Sequence, residues 1–178
     1  YIDGENTLVT DPDRTHCERA LRSLDFLVVT DLFMTDTAEL ADVVFPAAAW
    51  AEVDRTQTNT ERRIQRLRAA VPPQGDAMPD WWITSQLAQR MGFQGFDYKG
   101  PQDVFNELCE LSPTYQGVSW DAVEHGEFIW PVPFDGHPGT PRLHEKEFVN
   151  GRGIFAIAEY RDPAETIDDD YPVWLTTG

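Results

Sequence analysis

Two short apolar runs, Phe26–Val29 and Val43–Phe45, flank a more polar segment long enough for a single crossover. Consecutive β-branched and aromatic residues without alternation are the composition of strands buried on both faces of a parallel sheet. Between the runs, Thr35 is placed to cap a short helix through Ala38, Leu40 and Ala41. The pattern predicts a strand, a crossover helix and a parallel strand, joined with the right-handed sense such units take. Thr30 and Asp31 then fall just past the C-terminal end of the first strand, the edge at which open α/β sheets bind ligands.

Upstream, Tyr1-Ile2 reads as the tail of another strand and Gly4-Glu5-Asn6 as its exit loop. Asp11 at an N-cap and Pro12 in the first turn predict a helix whose buried face is Cys17, Ala20, Leu21 and Leu24. Two loops therefore open on one edge of the sheet, lined by Asn6, Thr10, Thr30 and Asp31. Downstream lies a polar stretch from Glu52 to Arg68, in which Arg55, Arg62, Arg63, Arg66 and Arg68 gather. It reads either as a solvated face balancing local acids or as a patch meeting an anionic cofactor or another domain. Asp80 is placed to cap a helix with Ile83, Leu87, Ala88 and Met91 on one face and Gly92 as its stop. A second helix is predicted from Pro101 through Val104, Phe105, Leu108 and Leu111, the two forming a hairpin on the sheet. Ser119 starts one more turn. From Gly126 to Gly151 proline and glycine are dense, which predicts an extended excursion. Gly153–Tyr160 reads as a strand, Asp168-Asp169-Asp170 as a solvated linker, and Pro172–Thr176 as the start of a new strand.

Composition narrows the function classes. A hydrophobic content of 41% supports a core and argues against disorder. Acidic residues outnumber basic ones 31 to 14, a net charge of −17 that opposes phosphate backbones and so speaks against nucleic-acid binding. Lys99 and Lys146 are the only lysines, a balance that fits a high-salt cytoplasm and an ordinary acidic enzyme equally. No run approaches the roughly 20 apolar residues of a membrane span, and the start YIDGENTLVT has no signal-peptide character. The missing initiator Met and the strand-like end at LTTG predict an internal piece of a longer chain. Cys17 and Cys109 are too far apart in sequence to suggest a disulfide framework or a metal site, and both read as buried structural thiols.

Direct chemical signatures are absent. No Ser-His-Asp pattern, P-loop, glycine-rich dinucleotide fingerprint or HExxH occurs. His125, His137 and His144 have spacings that match no familiar zinc motif, and His137 in Gly-His-Pro-Gly reads as a turn residue. On residues alone the chain presents a nucleotide-like ligand edge without a catalytic group.

The segments GENTLVTDPD, LDFLVVTDLFMTDTAELADVVFPAAAWAE and TNTERRIQR resemble the molybdopterin oxidoreductases of the dimethyl sulfoxide reductase family. DLFMTDTAELADVVFPAAAW is the superfamily-level match. NTERRIQR and HPGTPRLH, with GVSWDAVE, WPVP and YPVWLTTG, resemble the formate dehydrogenase catalytic subunits, so the resemblance covers essentially the whole chain.

That resemblance implies an α/β chain in three parts. Residues 1–94 would be the C-terminal part of a Rossmann-like molybdopterin-guanine-dinucleotide-binding domain with flanking helices. Residues 95–168 would be a helical and extended, proline- and glycine-rich linker, and 169–178 the first strand of a C-terminal β-barrel domain. It implies bis-molybdopterin guanine dinucleotide carrying Mo or W, and a 4Fe-4S cluster bound upstream of this chain. Asn6 and Thr10 match the loop that contacts the nucleotide, Thr30 and Asp31 the pair after the strand, and Asp80 an aspartate at the guanine end. Arg55 stands where the family has Gly, Gln57 where it has an aromatic, and Val53 where some relatives have Lys, so the local loop shape departs from the pattern. The implied activity is reversible oxidation of formate to carbon dioxide, with electrons passed to iron–sulfur or NAD-reducing partner subunits in the cytoplasm. The implied metal-ligating Cys or selenocysteine, with its His and Arg, lies upstream, so no catalytic residue and no metal ligand is expected in this chain. A nitrate reductase of the same family, a non-catalytic relative in the iron–sulfur subunit of respiratory NADH dehydrogenase, and a stand-alone nucleotide-binding module stay open beside it.

Overall fold

A computed structural model describes residues 1–126, 128–163 and 165–175 of the chain. The chain divides into two compact units, Tyr1–Pro141 and Arg142–Gly178.

In the first unit a parallel sheet forms from β1 (Ile2–Asp3), β2 (Val28–Asp31) and β3 (Val43–Pro46), in that spatial order. Ile2 faces Val29, and Val29 faces Val44. Leu27, Val29 and Ala38 are buried between the sheet and its crossovers, with Ile2, Leu21, Leu40, Ala41 and Val44 packed around them. The crossover between β2 and β3 is a 3-10 turn, Ala38–Leu40, and Thr35 Oγ1 accepts from the Ala38 N–H as expected of a cap. The central strand starts later than the apolar run suggests. Asp42 claims the Leu27 N–H with its carboxylate, and Phe26 is left 62% exposed. Thr30 and Asp31 are consequently inside β2 rather than beyond it.

The first helices also correct the expectation. A short helix α1 (Thr7–Thr10) ends on the bond from Asp11 N–H to the Thr7 carbonyl, so Asp11 closes one helix instead of opening the next. Asp13, at φ +56°, caps α2 (Arg14–Arg22) by accepting from the His16 N–H. No residue of α2 is buried: Cys17 and Leu21 are half-covered, while Ala20 and Leu24 are exposed.

The polar stretch after β3 holds β4 (Arg55–Thr58) and β5 (Arg63–Leu67), which with the later β6 (Phe128–Ile129) form an unexpected antiparallel sheet. Its second core comprises Ile64, Phe105, Cys109, Val118, Val123 and Val132. These come from β5, from α4 (Pro101–Leu111), from α5 (Trp120–His125) and from the segments beside α5. Ser119 caps α5 by accepting from the Ala122 N–H, in accord with its sequence signature. α3 (Asp80–Arg90) contributes no residue to this core, so the predicted helical hairpin does not form; α4 packs on the antiparallel sheet instead. Asp80 is the first residue of α3, after Pro79, and its side chain makes no capping bond. Ile83 is buried, Met91 is exposed, and Gly92 at φ +87° stops the helix.

In the second unit, Phe148 and Gly151 form an isolated bridge, and residues 153–160 are not a strand. Ile154 and Phe155 are 84% and 98% exposed there. A run of strand-forming residues without a hydrogen-bonding neighbour has no ladder to join. Residues 172–175 likewise form no strand, and the last residue of the expected Pro172–Thr176 strand lies outside the described residues. Asp168 forms a turn, its Oδ1 accepting from the Asp170 and Tyr171 N–H groups. No helix among the described residues is long and apolar enough to cross a membrane.

Candidate functional site

The parallel sheet brings its strand ends to one edge. Gly4, at φ +63°, turns the chain out of β1 and donates its N–H to the Thr30 carbonyl at 2.8 Å. Beyond β3, Ala48 and Met78 continue the pairing, with Ala48 N–H donating to Met78 O at 2.9 Å and Met78 N–H to Pro46 O at 3.1 Å. That parallel register delivers Asp80, two residues later, to the same edge as Asp3 and Asp31.

Asp31 Oδ1 accepts from the Leu32 N–H at 2.6 Å and the Phe33 N–H at 3.3 Å, which fixes the carboxylate. Its Oδ2 accepts no hydrogen bond among the described residues. Burial and then the Asp31 charge raise the Asp3 carboxyl above the ordinary aspartate range. Burial and then the Asp3 charge do the same to Asp80, against the opposing pull of Arg55. Arg55 Nε is buried and has no hydrogen-bond partner among the described residues. The edge therefore holds three aspartates, with Asp3 crowded by Asp31 and Asp80 by Asp3, and one guanidinium nitrogen with a donor to spare.

The other expected residues are placed differently. Thr30 is fully buried, with its hydroxyl 2.6 Å from the Tyr1 hydroxyl, so its side chain supports the edge from beneath. Thr10 lies at the far end of α1 and commits its hydroxyl to the Glu5 carboxylate and the Asn6 carbonyl. Asn6 Oδ1 accepts from both the N–H and the hydroxyl of Thr37, at 3.2 and 2.8 Å. Asn6, Asp31 and Asp80 thus share the edge with open polar atoms, while Thr30 and Thr10 are engaged within the protein. Asp3, Arg55 and Thr37 were not singled out from sequence as members of this edge. A carboxylate ending the first strand was the available signal for Asp3. Nothing local marks Thr37, whose partners are about thirty residues away.

Two members of the arginine cluster, Arg62 and Arg66, are absorbed by the fold, whereas Arg63 and Arg68 pair with the local acids Glu61 and Glu124. Arg66 lies over the Trp120 ring at 4.2 Å and pairs with Asp54 at 3.2 Å and Glu124 at 3.3 Å. Arg62 donates to the carbonyls of Trp130, Thr140 and Pro141. These two are neither a solvated face nor a patch for an anion. His137 Nδ1 accepts from the Gly139 N–H at 3.0 Å, which makes it a turn residue. Cys109 is buried, and burial pushes its thiol up to about 11, unsuited to a thiolate role. Cys17 is only half-buried. Among the described residues no group of three His, Cys, Asp or Glu side chains is placed to hold a metal ion.

A parallel sheet whose strand ends gather Asp3, Asp31 and Asp80 at one edge is the architecture set beside known proteins. The molybdopterin oxidoreductase family profile matches residues 1–90, half of the chain, and the chain belongs to that family. It is 50% identical over its whole length to the F420-dependent formate dehydrogenase subunit alpha of Methanocaldococcus jannaschii. It is 47% identical to the F420-dependent formate dehydrogenase 2 subunit alpha of Methanococcus maripaludis, again over its whole length. The chain spans 27% of each of these relatives. Among solved structures, acetylene hydratase from Pelobacter acetylenicus superposes with a TM-score of 0.57 at 27% identity, covering 76% of this chain and 19% of that one.

Proposed function

We propose that this chain is part of the catalytic subunit of a molybdenum or tungsten formate dehydrogenase. We further propose that the edge formed by Asn6, Asp31 and Asp80 binds the guanosine diphosphate arm of bis-molybdopterin guanine dinucleotide. The observation that carries the reading is the Asp31 carboxylate, held by two backbone N–H groups with Oδ2 left open. Carboxylates accept, and the ribose hydroxyls, guanine N1–H and guanine N2 amine are donors, so the groups complement one another. Their approach also relieves the mutual repulsion among Asp3, Asp31 and Asp80. Arg55 Nε supplies a donor for an oxygen of the same ligand. Thr30 and Thr10, placed in the notional ligand loops, act here by holding Tyr1, Glu5 and the Asn6 backbone.

When bound, the cofactor supplies the metal centre at which formate gives up two electrons and a proton to become carbon dioxide. This chain's residues orient one arm of that group and shield it from water. A 4Fe-4S cluster held outside this chain, with partner subunits, would carry the electrons away. The names of the methanogen relatives make coenzyme F420 the first acceptor to test, with NAD beside it. A cytoplasmic location belongs to the same proposal.

The test is made on the full-length protein. Asp31→Ala is expected to lower guanine nucleotide and molybdenum or tungsten content together, roughly tenfold for loss of a charge-assisted hydrogen bond. Normal content in that variant overturns the ligand assignment. Purified wild-type protein that reduces no viologen dye with formate, yet oxidises reduced viologen with nitrate, overturns the formate reading.

A further inference from the structure

We propose that Thr37 is the positioning residue of this edge, holding the Asn6 carboxamide so that its Nδ2 donates to an acceptor oxygen of the bound nucleotide arm. The inference rests on the reading above.

Asn6 stands at the N-cap of α1, where an asparagine side chain ordinarily accepts from the second or third helical N–H. Here it makes no such bond. The Leu8 N–H is instead taken by Thr37 Oγ1 at 3.1 Å, from 29 residues away. Thr37 caps the helix in place of Asn6 and frees the carboxamide for another task. The same hydroxyl donates to Asn6 Oδ1 at 2.8 Å, using its single hydrogen, and the Thr37 N–H donates to that oxygen at 3.2 Å. The backbone N–H can only donate, so the atom facing it must be the acceptor oxygen, and the orientation of the amide is settled. Nδ2 is turned away from Thr37 and donates to nothing among the described residues. Thr37 is fully buried, so its side chain is not open to a ligand from solvent. It acts through Asn6.

Guanine nucleotide retained per chain after prolonged desalting reads this role in the full-length protein, with thermal unfolding as a check on folding. Asn6→Ala is expected to lower retention roughly tenfold, and Asn6→Asp, which replaces the outward donor by an acceptor, at least as much. Thr37→Val should match Asn6→Ala, while Thr37→Ser, which keeps the hydroxyl, should restore retention. In an Asn6→Ala background Thr37→Val should lower it no further. Wild-type retention in Thr37→Val, or additional loss in the double variant, overturns the positioning role. Should Thr37→Val fail to fold, Asn6→Asp decides alone: retention equal to wild type overturns the proposal. The underlying reading fails separately. If Asn6→Ala retains normal nucleotide while Asp31→Ala loses it, only Asn6 and Thr37 are misassigned; if both retain it, the edge is not the nucleotide site.

Discussion

Asp80 bears two demands that pull against each other. Partial burial and the Asp3 charge raise its carboxyl above the ordinary range, so the folded chain holds that proton more tightly than the unfolded one. A raised acid stabilises the fold below its unfolded pKa, and this contribution is lost as pH rises through the folded value. Without ligand, Asp80→Asn should therefore raise the melting temperature at neutral pH. The gain should shrink as pH falls into the range where wild-type Asp80 is protonated. A variant no more stable than wild type at pH 7 would contradict the crowding of these carboxylates. The same substitution should lower nucleotide content, because functional carboxylates are retained at some expense of stability. Residue-level legibility follows the same divide. Asp31 and Asn6 stood out because acceptors and amides after short strands suit a sheet edge. Asp3 did not, because its role depends on Asp31 and Asp80 lying beside it.

Among the elements, α4 and α5 were readable because Pro101, Ser119 and the apolar spacing agree with the helices that form. β4 and β5 were not readable, and Arg66 is the reason. Strand neighbours Ile64 and Arg66 point to one face, and Arg66 occupies a core position with its side chain only 9% exposed. A guanidinium stacked on Trp120 reads as polar in sequence while behaving as packing in the fold. Arg66→Ala should destabilise the protein by about 2 kcal/mol, since it strips the Trp120 ring of its cover and removes the pairs to Asp54 and Glu124. Arg66→Lys should recover only part of this, lacking the planar fork and the stacking surface. Denaturant unfolding of the full-length protein measures both, and full recovery by lysine would show that charge alone matters. The segment 153–160 has the inverse problem: its strand-forming residues are legible, but no ladder reaches them.

At the level of the whole molecule, a charge of −17 confronts a fold whose parallel-sheet edge is itself acidic. Repulsion of this kind is screened over about 10 Å at 0.1 M salt. The melting temperature should rise with added sodium chloride from low ionic strength, and Asp80→Asn should weaken that dependence. A flat salt response would mean that the local ion pairs already neutralise the field. Charge was legible from composition, whereas the long-range bonds that tie the first unit together were not. Arg62 makes one such bond, from the β4–β5 turn to the Pro141 carbonyl, 79 residues further on. On a ribosome adding about 5–20 residues per second, that guanidinium waits about 4–16 s for its last acceptor to be made. The hairpin it belongs to is thus sealed from the far end, as a late act of biosynthesis.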